Sequence, residues 1–158
     1  TILIKNADLA KTFRKNFDNM FESKTEVYRG YGGMKAIFEK TLAYKEILFI
    51  GGTGGGPKTM PEYFEGYYNR EAEKRGITWL NVAHRAILKT PAMKQKFHHI
   101  RFLPKHFEFS PNVIWVFGNC VANVVWLSEP VAFLVEDAHI AKAYRNYFRL
   151  LWKMAEKT

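Results

Sequence analysis

Apolar positions recur along this chain with two periods, and the alternation between them predicts its elements. Over residues 7–23, Leu9, Phe13, Phe17 and Phe21 return at every fourth position, while Lys11, Arg14, Lys15, Asn16 and Asp18 fill the other faces. That spacing predicts an amphipathic helix whose stripe either packs on its own domain or pairs with a second copy. Residues 25–29 read as a short strand. After the flexible Gly30, Gly32 and Gly33, the residues Met34, Ile37, Phe38 and Leu42 give a second amphipathic helix. Residues 46–50 form a compact apolar run suited to a buried strand. A glycine-rich loop over 51–56 then leads through Pro57 and Pro61 into a helix ending near Arg75 and Gly76. Residues 77–83 are a further strand, and the looser stretch 84–106 holds a short helix and an extended segment around 100–103. Residues 113–117, 120–127 and 131–135 read as a β-meander, with Gly118-Asn119 as a two-residue hairpin turn. Asp137 stands where an N-cap belongs, before a final helix whose face is Ile140, Tyr144, Tyr147, Phe148, Leu151, Trp152 and Ala155. Strands alternating with helices, then a meander and a closing helix, predict an α/β fold with a mixed sheet flanked by helices.

Composition narrows the class without naming a function. The 158 residues are 47% hydrophobic and 16% aromatic, enough for one core and against disorder. The longest apolar runs fall far short of a membrane span. The formal charge of +9 would attract nucleic acid, anionic lipid or an anionic ligand, but the cations are scattered, with no run of five or more. One cysteine, Cys120, rules out internal disulfides and a Cys-rich zinc site, and suits a reducing cytosol; a cytoplasmic location is expected. Beginning at Thr1, the chain reads as a piece of a longer protein.

Motif by motif, familiar chemistry is missing. In Gly51-Gly-Thr-Gly-Gly-Gly-Pro-Lys-Thr59, Pro57 stands where a Walker A loop needs glycine, removing a donor N–H, and it also breaks the dinucleotide fingerprint. A loop lining a small-ligand crevice and a plain connection both remain open for this segment. His98 and His99 point to opposite faces if extended and cannot readily share a metal, so neither metal nor cofactor is expected. None of the serines lies in a Gly-x-Ser-x-Gly elbow.

Several segments, in order, resemble the effector-binding domain of TrmB-like transcriptional regulators. They include Arg29-Gly-Tyr-Gly-Gly-Met-Lys-Ala-Ile-Phe-Glu-Lys, Lys45-Glu-Ile-Leu-Phe-Ile-Gly, Glu71-Ala-Glu-Lys-Arg-Gly-Ile and Ile100-Arg-Phe-Leu-Pro. Val113-Ile-Trp-Val-Phe-Gly-Asn-Cys-Val-Ala, Glu129-Pro-Val-Ala-Phe-Leu-Val-Glu and the closing Phe-x-x-x-Trp helix complete the set. The resemblance covers roughly residues 27–155. It implies a phospholipase D-like fold over residues 25–158 that binds a small effector, commonly a sugar, preceded over residues 1–24 by a linker helix that helps form a homodimer. It also implies that DNA is bound only through a winged helix absent from this chain. Catalytic members of that superfamily carry a His-x-Lys motif followed by Asp. This chain has no His-x-Lys, and residues 109–126 contain no His, Lys or Asp. The resemblance therefore implies a non-catalytic relative, in which Asn119 stands where the family often has Asp.

The expected pocket lies at the carboxyl ends of the strands, where open sheets usually bind ligands. Its expected lining is Gly52, Thr53 and Gly54, then Asn81, His84 and Arg85, with Asn119 from the hairpin and Glu129 before the last strand. Such polar groups suit a sugar, on which Trp115 or Trp126 could stack; His84 with Arg85 would equally suit a sugar phosphate. Two other readings stay open: a phospholipase D-like hydrolase with an atypical site, and a basic nucleic-acid-binding module.

Overall fold

The computed structural model describes residues 7–107 and 110–157, and of residues 16–22 the backbone only. Helix α1 (Ala7–Glu22) leads through Ser23 into strand β1 (Lys24–Arg29) and helix α2 (Gly30–Thr41). Strand β2 (Glu46–Gly52) is followed by short helical pieces α3 (Gly55–Thr59) and α4 (Pro61–Tyr63), a π-helical turn Phe64–Tyr68 and α5 (Asn69–Lys74). Next come β3 (Thr78–Ala83), the 3-10 turns Arg85–Lys89 and Pro91–Lys94, and β4 (His98–Phe102). The meander is β5 (Asn112–Phe117), β6 (Cys120–Val125) and β7 (Val131–Glu136), and α6 (Ala138–Met154) closes the chain.

The strands make one sheet in the order β1-β7-β6-β5-β2-β3-β4. β2, β3 and β4 run parallel, and β5 joins antiparallel to β2, so the sheet is mixed. Alternation along each strand sorts residues between its faces. Ile47 and Phe49 of β2, Trp79 of β3 and Val113, Trp115 and Phe117 of β5 face the layer of α2 and the helical pieces after β2. There Phe38 packs with its ring centroid 4.8 Å from Phe64 and 4.5 Å from Trp115. Burying each of these large side chains contributes about 1.5–3 kcal/mol. The alternate residues Leu48, Val82, Val116 and Val121 face α6, through Ala141 and Phe148.

Two local expectations change. The glycine stretch is not one loop: Gly51 and Gly52 extend β2, and Gly55 already opens a helical turn, leaving Thr53 and Gly54 between them. Gly54 makes the reversal at φ +76°, a left-handed conformation that favours glycine. On α6, Ile140 and Tyr147 do not join the buried face; they are 38% and 62% exposed, because the helix rolls so that Ala141, Tyr144, Phe148 and Trp152 meet the sheet. Asp137 does cap that helix, its Oδ1 accepting 2.9 Å hydrogen bonds from the N–H groups of His139 and Ile140. In α1, Leu9 and Phe13 are exposed; the side chains of Phe17 and Phe21 lie outside those described. No helix among the described residues is long and apolar enough to cross a membrane.

Candidate functional site

The C-terminal ends of β2 and β3 and the start of β5 meet at one end of the sheet, and there a cavity of about 30 Å³ lies under residues 52–57. Space of that size takes a water or two. Its walls are aromatic, from Phe38, Phe49, Trp79, Trp115 and Trp126, with Thr53, Asn81 and His98 as the polar side chains. Glycine is required here by close approach. A Cβ on Gly52 would fall 2.3 Å from Asn81 Nδ2, and one on Gly55 would fall 2.5 Å from the Trp126 ring.

A directed chain of hydrogen bonds ends at this cavity. Gln95 Nε2 donates to Asn69 Oδ1 at 2.9 Å, so its Oε1 is turned to accept from His98 Nδ1 at 3.1 Å. With its proton on Nδ1, the imidazole accepts at Nε2 from Asn81 Nδ2, 3.0 Å away. Burial pushes the His98 imidazole down to about 3, which keeps it neutral and preserves this order. Asn81 is then left with a single unused group: its Oδ1 is buried and accepts no hydrogen bond, in a residue only 2% exposed. An orphaned acceptor in an aromatic cavity costs free energy unless a donor reaches it. Chemically the site can receive a hydroxyl or amide N–H at Asn81 while aromatic rings cover the apolar faces of its owner. The lining contains no Lys, Arg, Asp, Glu, Ser or Cys, and among the described residues no three metal-binding side chains cluster.

Of the expected pocket residues, Gly52, Thr53, Gly54 and Asn81 line this cavity together. His84 and Arg85 follow β3 but turn away from it. His84 Nδ1 accepts from the Ala86 N–H at 3.1 Å, capping the next turn, and Arg85 lies 5.1 Å over the Phe102 ring and pairs with Glu156. Asn119 sits at the opposite end of the sheet. Because β5 is antiparallel to β2, with Ile50 beside Ile114, it is the start of β5 that adjoins the cavity, not the hairpin at its far end. Glu129 is at the correct end but exposed, near Gly30 rather than the cavity. Both tryptophans considered for stacking line the cavity. Sequence reasoning weighed His98 only as a metal ligand and passed over Gln95 and Trp79. What places them is the parallel pairing that sets His98 beside Trp79, next to inward-facing Asn81, and this register has no local sequence signature.

No model of a known protein family matches the sequence, and no curated protein matches it. Among solved structures, the chain resembles NucT from Helicobacter pylori, with a TM-score of 0.62 and 9% identity over 87% of this chain and 100% of that one. It resembles Nuc from Salmonella typhimurium, a phospholipase D family member, with a TM-score of 0.62 and 13% identity over 87% of this chain and 99% of that one. The likeness defines the fold as phospholipase D-like. TrmBL2, an archaeal chromatin protein, matches with a TM-score of 0.55 and 15% identity over 96% of this chain, which spans 61% of the TrmBL2 chain. The fold is therefore shared with TrmBL2 as well as with NucT and Nuc.

Proposed function

We propose that this domain is a non-catalytic sensor for a small uncharged ligand, the effector domain of a TrmB-like transcriptional regulator. The observation that carries this reading is the orphaned Asn81 Oδ1, held by neutral His98 toward an aromatic cavity with no charged side chain. A sugar or polyol supplies both the donor for Asn81 and a face for Trp115 or Trp126. A sugar phosphate fits less well, since no cation lines the cavity and Pro57 withholds an N–H where an anion nest would close. Ligand pockets span about 300–1,000 Å³, so admitting a monosaccharide requires Trp126, half-buried over Gly55, to swing outward. That motion provides the sensing step. The regulator would act as a cytoplasmic homodimer through α1, whose Leu9 and Phe13 are exposed.

A neutral sugar and polyol panel tests the reading by thermal shift, because a ligand that binds only the folded state raises Tm. A hit should lose its shift in Asn81→Leu, which removes the acceptor. A panel without hits, or a hit that ignores Asn81, refutes the site. The second reading, a phospholipase D-like hydrolase with an atypical site, is favoured by the near-complete coverage of NucT and Nuc. Incubation with bis(p-nitrophenyl) phosphate and divalent metals separates the two: the sensor gives background rates, and turnover lost in His98→Gln establishes the hydrolase.

A further inference from the structure

α6 carries three separate faces. One is buried on the sheet, a second is apolar and exposed, and a third is basic, formed by Lys142, Arg145, Arg149 and Lys153 at three- and four-residue spacing. The helix contains no Asp or Glu. The basic face is exposed at Lys142, Arg149 and Lys153 and half-buried at Arg145. It forms one wall of a surface groove of about 340 Å³ against β2 and β3, and a second groove of about 480 Å³ adjoins it across Trp152. Arg145, Arg149 and Lys153 line the first; His99, Arg101 and Lys157 line the second, on the α6 side of β4. Two of these cations are held in place: Arg145 donates to the Gly118 carbonyl, and Arg101 donates to the Trp152 carbonyl at 2.6 Å while lying 4.3 Å over its ring. Glu46 is the carboxylate on the lining. None of the ion pairs among the described residues uses any of these arginines or lysines.

A row of unneutralised cations along a groove is costly in self-repulsion and is relieved by an extended polyanion. The geometry points to the phosphate backbone of duplex nucleic acid as that partner, bound by this domain itself along the two adjoining grooves beside α6. From Arg145 to Lys153 the helix rises about 12 Å, the span of three to four phosphates on one strand at about 3.4 Å of axis each. A single phosphate group would need converging donors, whereas these are spread along the helix at three- and four-residue spacing. A flat bilayer would meet the exposed Arg149 and Lys153 first and reach the half-buried Arg101 and Arg145 less well. The contacts touch backbone only, so binding is independent of base sequence. This inference stands apart from the cavity, which lies at the C-terminal ends of β2 and β3 on the other face of the sheet.

Fluorescence anisotropy with a labelled duplex of arbitrary sequence, titrated with the 158-residue chain at several salt concentrations, tests it. The unmodified chain should bind at 50 mM salt, with log affinity falling linearly against log salt. The double variant Arg149→Glu/Lys153→Glu should bind at least tenfold more weakly, with a slope shallower by about 1.8, the loss of two phosphate contacts at about 0.9 each. Arg149→Gln/Lys153→Gln should move both quantities in the same direction. A control with the same charge change on the opposite layer, Lys35→Glu/Lys74→Glu, should leave the slope within about 0.5 of the parent, having removed no phosphate contact. Circular dichroism confirms that each variant folds. The inference fails if the parent does not bind, if the groove and control variants weaken binding equally, or if the groove variants leave slope and affinity unchanged. It also fails if vesicles of anionic lipid bind more tightly than the duplex and lose that binding in the same variants.

Discussion

Replacing Gly52 with alanine tests the core of the proposed site, because the added methyl would lie 2.3 Å from Asn81 Nδ2 and 2.4 Å from its Oδ1. Backbone strain does not enter, since Gly52 is not in the left-handed region. The carboxamide itself must move, and it is pinned by its bond to His98. Moving it forfeits a hydrogen bond worth about 0.5–1.5 kcal/mol and leaves buried nitrogens unsatisfied at about 1–3 kcal/mol, so Gly52→Ala should destabilise by about 2–4 kcal/mol. Asn81→Ala should cost less, about 1–2 kcal/mol, because it strands His98 Nε2 but also removes the orphaned Oδ1. In the double variant the new methyl enters the space vacated by the carboxamide. The two costs should therefore fall short of adding by about 2 kcal/mol, as expected for groups in direct contact. Urea unfolding of the four proteins in the cycle measures this, provided the slopes agree. Additivity within about 0.5 kcal/mol would show that Gly52 and Asn81 are not in contact and would remove the reason for a glycine at the cavity wall.

His98 gives a pH dependence of definite sign. Its imidazole is held near 3 in the folded chain by burial but is near 6.5 when unfolded, so below about pH 6.5 the unfolded state binds a proton that the native state refuses. Its share of stability is present in full above that pH and declines by about 1.4 kcal/mol per pH unit on acidification toward 3. His98→Gln should flatten the urea-derived stability profile between pH 7 and 5 by one proton, and an unchanged profile would mean the ring is not buried neutral. Two glycines should respond with opposite signs. Gly118 has φ +53° and its Cβ would lie 2.1 Å from the Tyr44 ring, so Gly118→Ala should destabilise by at least about 1 kcal/mol. Gly66, in a helical turn with nothing within 4 Å of a new Cβ, should gain about 0.4–1 kcal/mol as alanine. Both are checked by thermal and urea unfolding.

Local pattern and local chemistry set most of the elements. The Ile47–Phe49 alternation, the Gly118-Asn119 turn and the Asp137 cap each depend on residues a few positions apart, so their signals survive in the linear order. The mixed α/β class follows from them, as does the placing of Gly52, Thr53, Gly54 and Asn81 at strand ends. What tertiary structure alone decided are the pairings between distant strands. The antiparallel docking of β5 on β2 sends Asn119 to the far end of the sheet and brings Val113 and Trp126 to the cavity. The parallel docking of β4 on β3 carries His98 inward beside Asn81 and leaves His99 outside with Arg101. Likewise, the periodicity of α6 marks it as a helix, but which stripe meets the sheet depends on the roll of the helix against four strands. Register and roll are fixed by the fit of whole faces, a non-local sum over many side chains, and no short window of sequence contains it.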